Sequence, residues 1–224
     1  MLDLQFLTTF RFLRRELVGL RGRVLDVGAG LSPWREMLQD AAYVGLDVES
    51  ADREFGMSRQ RDVVYYDGAR MPFGDGSFDH ILCSEVLEHV PDPGYFMSEL
   101  SRLLKTGGTL VLTVPWSARL HHLPNDYQRF TRYGLAALTE RAGLDVQRIE
   151  ERGNDVAVVA NKIIVMLVRL VRPAGWRSAI WSWPLALLLM PGAIAFLLAA
   201  HLALHFGWGS RDDPLGYGLV AVKR

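Results

Sequence analysis

The stretch Val24-Leu25-Asp26-Val27-Gly28-Ala29-Gly30-Leu31-Ser32 decides the fold of this 224-residue chain. Arg23 to Val27 reads as a short buried strand, Gly28 to Gly30 as a tight turn, and Leu31 to Gln39 as a helix opening behind it. Glycines at 28 and 30 let backbone approach a ligand closely, and a helix N-terminus behind the turn would offer free N–H groups and a positive dipole end. By itself this pattern hints at a nucleotide site.

Outward from that turn, strand and helix patterns continue to alternate. Strands are expected at Tyr43 to Asp47, Val63 to Tyr66, Phe78 to Ser84 and Thr109 to Pro115, with a helix over Tyr95 to Leu104. A helix over Thr131 to Ala142, stopped by Gly143, leads to a strand at Leu144 to Glu151, and a last strand covers Gly216 to Val222. Short apolar strands alternating with helices predict an α/β fold, a Rossmann-like and mostly parallel seven-stranded sheet with helices on both faces. Leu2, Phe6, Phe10, Leu13 and Leu17 recur at helical spacing, so an amphipathic helix should lead the chain. No repeat or low-complexity linker interrupts this order, and residues 1–224 are expected to form a single domain with one insertion.

That insertion, residues 154–209, is apolar and helical in pattern. Ser178 to Ser210 contains no Asp, Glu, Lys or Arg, and four of the six tryptophans (Trp176, Trp181, Trp183, Trp208) lie in or beside it. Pro184 to Phe206 is long enough, at about 1.5 Å per residue, to cross a hydrocarbon core of about 30 Å. Both ends must return to one sheet, however, which allows zero crossings or two. A second crossing would use Val156 to Val171, which is short and carries Lys162 and Arg169, each costing about 2.5–3.5 kcal/mol at a helix centre. The expectation is therefore monotopic: two helices, the second bent near Pro191-Gly192, dip into one leaflet with tryptophans at its interface. The competing expectation is burial against the fold or in a homodimer.

Composition narrows the class of partner. Lys and Arg number 25 against 25 Asp and Glu, so no global positive field draws the chain to nucleic acid, and no nucleic-acid partner is expected. The single cysteine, Cys83, excludes an internal disulfide and a Cys-based structural zinc site and fits a reducing cytosol; within an apolar strand it reads as an inert buried thiol. Met1 to Leu20 is broken by charges and reads as no signal peptide. A cytoplasmic location is expected, or a peripheral one on the inner face of a membrane.

Several acidic residues end the predicted strands. Asp47 lies 19 residues after Gly28, where a carboxylate accepts from a ribose diol in Rossmann-type folds. Pro33 stands where a dinucleotide fingerprint needs its third glycine, which disfavours NAD, while Asp26 lies where an amino-acid ammonium could pair with it. Asp67 ends the third strand before Gly68-Ala69-Arg70-Met71-Pro72-Phe73; Ser77-Phe78-Asp79 and Ser84-Glu85-Val86-Leu87-Glu88-His89 follow. Asp79 reads as a structural residue. Glu85, Glu88 and His89 have the look of a metal cluster, yet no further carboxylate or cysteine completes it, and no metal is expected.

Together these motifs resemble the class I S-adenosylmethionine-dependent methyltransferases, closest to the small-molecule branch of ubiquinone and menaquinone biosynthesis, over residues 20 to 152. The last strand resembles that family's terminal antiparallel strand. The resemblance implies S-adenosylmethionine as cofactor, with Gly28 and Gly30 lining its methionine moiety, Asp26 at the ammonium and Asp47 at the ribose hydroxyls. It also implies Asp67 at the adenine amino group and Gly68 facing the ring, and Ser84 is counted with the cofactor-binding set. The departure is Ser32, where many members carry a third glycine.

Methyl transfer from a sulfonium requires alignment and, for a hydroxyl acceptor, a base. The loop Pro115 to Thr131 follows the fifth strand and is dense in His, Asp, Tyr and Arg; His121 and His122 are its base candidates. Asp126, Tyr127 and Arg129 read alternatively as a structural cluster, with Thr131 capping the next helix. The expected function is methyl transfer to a small-molecule or lipid-linked acceptor, at a hydroxyl oxygen near a membrane surface. The alternative is a non-catalytic adaptor of the same fold that binds a partner through its insertion.

Overall fold

A computed structural model describes residues 2–173 and 175–224. The chain divides into two compact units, one made of Thr9–Glu150 with Tyr217–Arg224 and the other of the remaining described residues.

The larger unit is built on the expected sheet. Strands β1 (Gly22–Val27), β2 (Ala41–Val48), β3 (Val63–Tyr66), β4 (Phe78–Ser84), β5 (Leu104–Pro115), β6 (Leu144–Arg152) and β7 (Gly216–Lys223) stand in the order β3-β2-β1-β4-β5-β7-β6. The β1 strand is central and parallel to both neighbours, with Val27 opposite Leu46 on one side and Cys83 on the other. The chain order reverses at β1, so the crevice beyond its carboxyl end is the switch point where open α/β sheets bind ligands. Strand β7 lies between β5 and β6 and runs antiparallel to them.

The helices are α1 (Leu4–Leu17), the single turn α2 (Ala51–Glu54), α3 (Pro93–Leu103), α4 (Arg132–Arg141), α5 (Asp155–Val171) and α6 (Trp176–Phe206). Two start signals work as sequence chemistry requires: Asp92 accepts from the Tyr95 N–H ahead of α3, and Thr131 from the Gly134 N–H ahead of α4. One sheet face packs Leu25, Ile81, Leu100, Leu112, Leu135 and their neighbours; the other packs Phe12, Leu13 and Leu17 of α1 on Val24, Leu82 and Val111. The buried stripe of α1 is Leu4, Thr8, Phe12, Leu13 and Leu17, whereas Leu2 and Phe6 stay exposed.

The helix expected over Leu31 to Gln39 does not form. Residues 28–40 make turns and a single 3₁₀ turn at Arg35–Met37. Pro33 cannot donate an N–H, and Gly28, Gly30 and Ser32 all take positive φ (71°, 53° and 53°), which a right-handed helix excludes. The anion-friendly helix end expected behind the glycines is therefore missing, and the N–H groups of Gly28, Ala29, Gly30 and Ser32 all donate within the protein, to the Leu46 carbonyl, Asp47 and the Ala29 carbonyl.

The second unit contains a long helical hairpin. Its base is clasped: Leu215 N–H donates to the Arg152 carbonyl (2.9 Å), Asn154 Nδ2 to the Trp208 carbonyl (2.7 Å), and Asp155 N–H to the Ser210 carbonyl (3.0 Å). Helices α5 and α6 pack on each other, and α6 runs unbroken through Pro184 and Pro191 before Gly207 ends it in a left-handed cap (φ 72°). The residues α6 buries are small: Ala179, Ser182, Ala186, Ala193, Ala200 and Ala203. Its large apolar side chains point outward, with Leu187 and Leu188 70% and 76% exposed.

Candidate active site

The carboxyl ends of β1, β2 and β4 converge on a cavity of about 100 Å³ lined by Gly28, Gly30, Asp47, Phe55, Met57, Glu85, Val86, His89 and His122. The glycine loop is held from β2, since the N–H groups of Gly28 and Ala29 both donate to the Leu46 carbonyl (2.8 and 3.1 Å). Asp47 completes the clamp: its Oδ2 accepts from the Gly30 N–H (2.9 Å) and its Oδ1 from its neighbour Val48 (2.8 Å). Burial raises the Asp47 pKa, and those two backbone bonds pull the other way.

Gly28 is required by both conformation and space. Its φ is positive, and a Cβ there would collide with Val86 Cγ2. Ser32, the departure from the glycine pattern, adopts the left-handed conformation that a third glycine would have supplied. Glu85 and His122 share it (φ 55° and 50°), so all three non-glycine residues with positive φ among those described flank this end of the sheet. Strain of this kind gathers at functional sites.

Not every residue singled out in the sequence reaches the cavity wall. Asp26 is buried beneath the loop, where Tyr43 Oη donates to its Oδ2 (2.9 Å). Burial lifts its pKa to about 7, with the Tyr43 hydrogen bond opposing and the Asp47 charge adding. Asp67 and Gly68 are exposed just past β3, with Asp67 Oδ1 accepting from the Ala69 N–H (2.9 Å). Ser84 at the end of β4 pairs its hydroxyl with that of Thr113 (3.0 Å). Asp79, as expected, is structural: it accepts from the Arg23 N–H and from Lys105 Nζ.

The two histidine candidates separate. His122 lines the cavity, and burial together with the neighbouring His121 lowers its pKa, so the ring is neutral and able to take a proton at neutral pH. His121 turns instead toward the buried Glu88, Nε2 to Oε1 3.8 Å. Phe55 sits against both His89 and His122, with ring centroids 5.5 Å apart in each pair. Of the alternative structural cluster, Asp126 and Arg129 meet, while Tyr127 stays exposed and its hydroxyl donates to Asn125 Oδ1 (3.1 Å). Arg129 grips both oxygens of Asp126 (2.5 and 2.8 Å), Asp126 accepts from the His121 N–H (2.9 Å), and this pairing holds the Asp126 pKa well below the usual carboxylate range.

Phe55, Met57 and His89 line the cavity without having been expected there. Phe55 and Met57 carry no motif; they reach the site only because α2 folds the β2–β3 connection back over the glycine loop, which places Met57 Sδ 3.5 Å from where a Gly30 Cβ would be. His89 does carry a signal, its place in Glu85-Val86-Leu87-Glu88-His89, but that pattern suggests a metal ligand rather than a cavity wall.

Fold and site together define a class. Residues 25–112 match the family described as Methyltransferase domain. The whole chain superposes on an S-adenosylmethionine-dependent methyltransferase from Mesorhizobium loti at a TM-score of 0.58, with 14% identity over 99% of this chain and 100% of that one, a likeness of fold. Two relatives add to this. A demethylmenaquinone methyltransferase of Renibacterium salmoninarum is 39% identical over 97 residues, 40% of each protein, and methyltransferase GfsG of Streptomyces halstedii is 28% identical over 161 residues, 58% of this chain and 55% of that protein. The chain thus spans less than two thirds of the curated relatives it matches. Its fold is that of the solved S-adenosylmethionine-dependent methyltransferases, and residues 25–112 are similar to the Methyltransferase domain family.

Proposed function

We propose that this chain binds S-adenosylmethionine at the β1–β2–β4 crevice and transfers its methyl group to a hydroxyl oxygen of a small-molecule or lipid-linked acceptor close to a membrane surface. The observation that carries this reading is the meeting of Gly28, Gly30, Asp47 and His122 around one cavity. The chain's residues suit the cofactor: Gly28 and Gly30 border the cavity without side chains, and Asp47 presents a carboxylate beside them. When bound, S-adenosylmethionine supplies an electrophilic methyl on a sulfonium centre.

The chain's own groups would do the rest. Gly28 and Gly30 admit the methionine portion against bare backbone, Asp26 lends negative charge from below, Asp47 accepts from the ribose hydroxyls, and Asp67 with Gly68 borders the adenine side. Ser84 fixes the β4 terminus through Thr113. His122 would take the acceptor's hydroxyl proton at a ring nitrogen as the methyl passes to the acceptor oxygen and its bond to sulfur breaks. Phe55 and Met57 cover the cavity and keep water from the reacting centre.

Membrane proximity is supported by the inverted burial of the hairpin. Helix α6 is long and apolar enough to cross a bilayer. In water a helix buries its large apolar residues; α6 buries Ala and Ser against its partner and presents Leu, Ile, Trp and Phe outward, the arrangement by which helices pack in lipid. A groove of about 970 Å³ at the hairpin tip, walled by Trp176, Ile180, Trp183 and Leu187 beside Arg172, suits acyl chains under an anionic headgroup. Because the hairpin's two ends are clasped together, it would enter and leave on one side.

The test is incubation of the protein with methyl-labelled S-adenosylmethionine and membrane extract. Label is expected in a small-molecule or lipid product, with less from His122→Ala. Binding of the cofactor product without any transfer would point instead to the adaptor role.

A further inference from the structure

Beside the cavity, three side chains from two segments converge on a point that no methyl-transfer role uses. Glu88 and His89 lie in the 3₁₀ turn Leu87–His89, and His121 comes from the loop after β5. The segments are tied together, for Tyr127 N–H donates to the Glu88 carbonyl (2.9 Å) and His89 Nδ1 lies 2.5 Å from the Asn125 carbonyl. A carbonyl only accepts, so Nδ1 of His89 carries the proton and Nε2 is left as a bare lone pair. His121 is set the same way. Its Nδ1 faces the Arg119 carbonyl (3.2 Å) and Asp126 Oδ2 (3.3 Å), again leaving Nε2 bare.

Both bare nitrogens face one oxygen. Glu88 Oε1 is 3.7 Å from His89 Nε2 and 3.8 Å from His121 Nε2, too far for a hydrogen bond to either. Glu88 is 0% exposed, and neither of its carboxylate oxygens has a hydrogen-bond partner in another residue. Three lone pairs thus converge with nothing donated between them, which is what a cation resolves. Ligand atoms at about 2.0–2.2 Å from a tetrahedral ion stand about 3.3–3.6 Å apart, close to the spacings here. All three donor atoms lie within 4.8 Å of one another.

The geometry points to a divalent transition-metal site formed by Glu88 Oε1, His89 Nε2 and His121 Nε2. Two imidazoles and one carboxylate suit zinc and its neighbours in the first transition row; magnesium and calcium prefer oxygen throughout. Asp126 and the Asn125 and Arg119 carbonyls hold the two rings from behind, as groups behind metal-bound histidines do. The Arg129 cation does not oppose an ion here, since both Asp126 oxygens bind it. Three protein donors leave a fourth position for water or an oxygen-bearing ligand, and His89 also lines the neighbouring cavity.

The test is made on the full chain, stripped with chelator and titrated with zinc chloride by calorimetry, with cobalt substitution read as visible d–d bands. Saturable binding of one ion per chain is expected, falling at least tenfold in His121→Ala and in Glu88→Gln, and about 10–100-fold in Asp126→Asn. His121 is on a loop, so its variant should keep the native circular dichroism if the buried Glu88 variant does not fold. No saturable binding by the stripped protein, or binding undiminished in a folded His121→Ala, would overturn the site. No cofactor is present in this measurement, so its outcome is separate from that of the methyl-transfer reading.

Discussion

Gly28 bears more on the cofactor site than any other single residue. A methyl group there meets both an unfavourable φ and Val86, so Gly28→Ala is expected to destabilise the chain by about 1–3 kcal/mol and to abolish binding of adenosylhomocysteine; urea denaturation and calorimetry would read the two effects. Ser32→Gly, relaxing a left-handed serine, should cost no stability. Asp26 provides a pH signature. Its carboxyl holds the proton far more tightly when folded (about 7) than at its ordinary value of 3.8, so the folded state binds more protons between those values. Stability is then fully present below pH about 4 and lost as pH rises through about 7. Urea midpoints at pH 5 and pH 8 should differ in the wild type, and the difference should shrink in Asp26→Asn. The glycines and Asp47 are legible in the sequence because their chemistry is local: a turn, and an acid one strand further on. The meeting of His121 with Glu88 is not, since 33 residues separate them and only the loop tied at Tyr127 and Asn125 closes the gap.

At the scale of elements, all seven strands are readable in place, most as apolar runs bounded by turn residues and β6 from the spaced Leu144, Val146 and Ile149 behind Gly143. The helix expected after the glycine loop fails because the apolar spacing at Leu31, Trp34 and Leu38 is overridden by Pro33 together with a left-handed Ser32. The hairpin is legible in extent, but its packing needs coordinates: composition shows that α6 is apolar, and only the structure shows that its small residues face α5. Should the outward face lie in lipid, wild type will float with anionic liposomes, and the Leu187→Asp, Leu188→Asp, Leu198→Asp triple variant will remain in the soluble fraction. A wild type that does not float and elutes as a dimer without detergent would assign that face to a second copy instead.

At the scale of the whole molecule, one chain carries a sheet unit whose residues 25–112 match a methyltransferase family and a second unit with an outward-facing apolar hairpin. The fold alone does not specify chemistry, because one architecture hosts many activities and function resides in the site. The central claim is therefore that the crevice at Gly28, Gly30 and Asp47 is a cofactor site. Calorimetric titration of adenosylhomocysteine into wild type and Asp47→Ala tests it most directly. Charge-assisted hydrogen bonds contribute about 1.5–3 kcal/mol each, and every 1.4 kcal/mol is about tenfold in affinity. One-to-one binding by the wild type is expected, weakened more than tenfold in a folded Asp47→Ala variant; no binding by the wild type, or an unchanged dissociation constant in the variant, would contradict a cofactor site there.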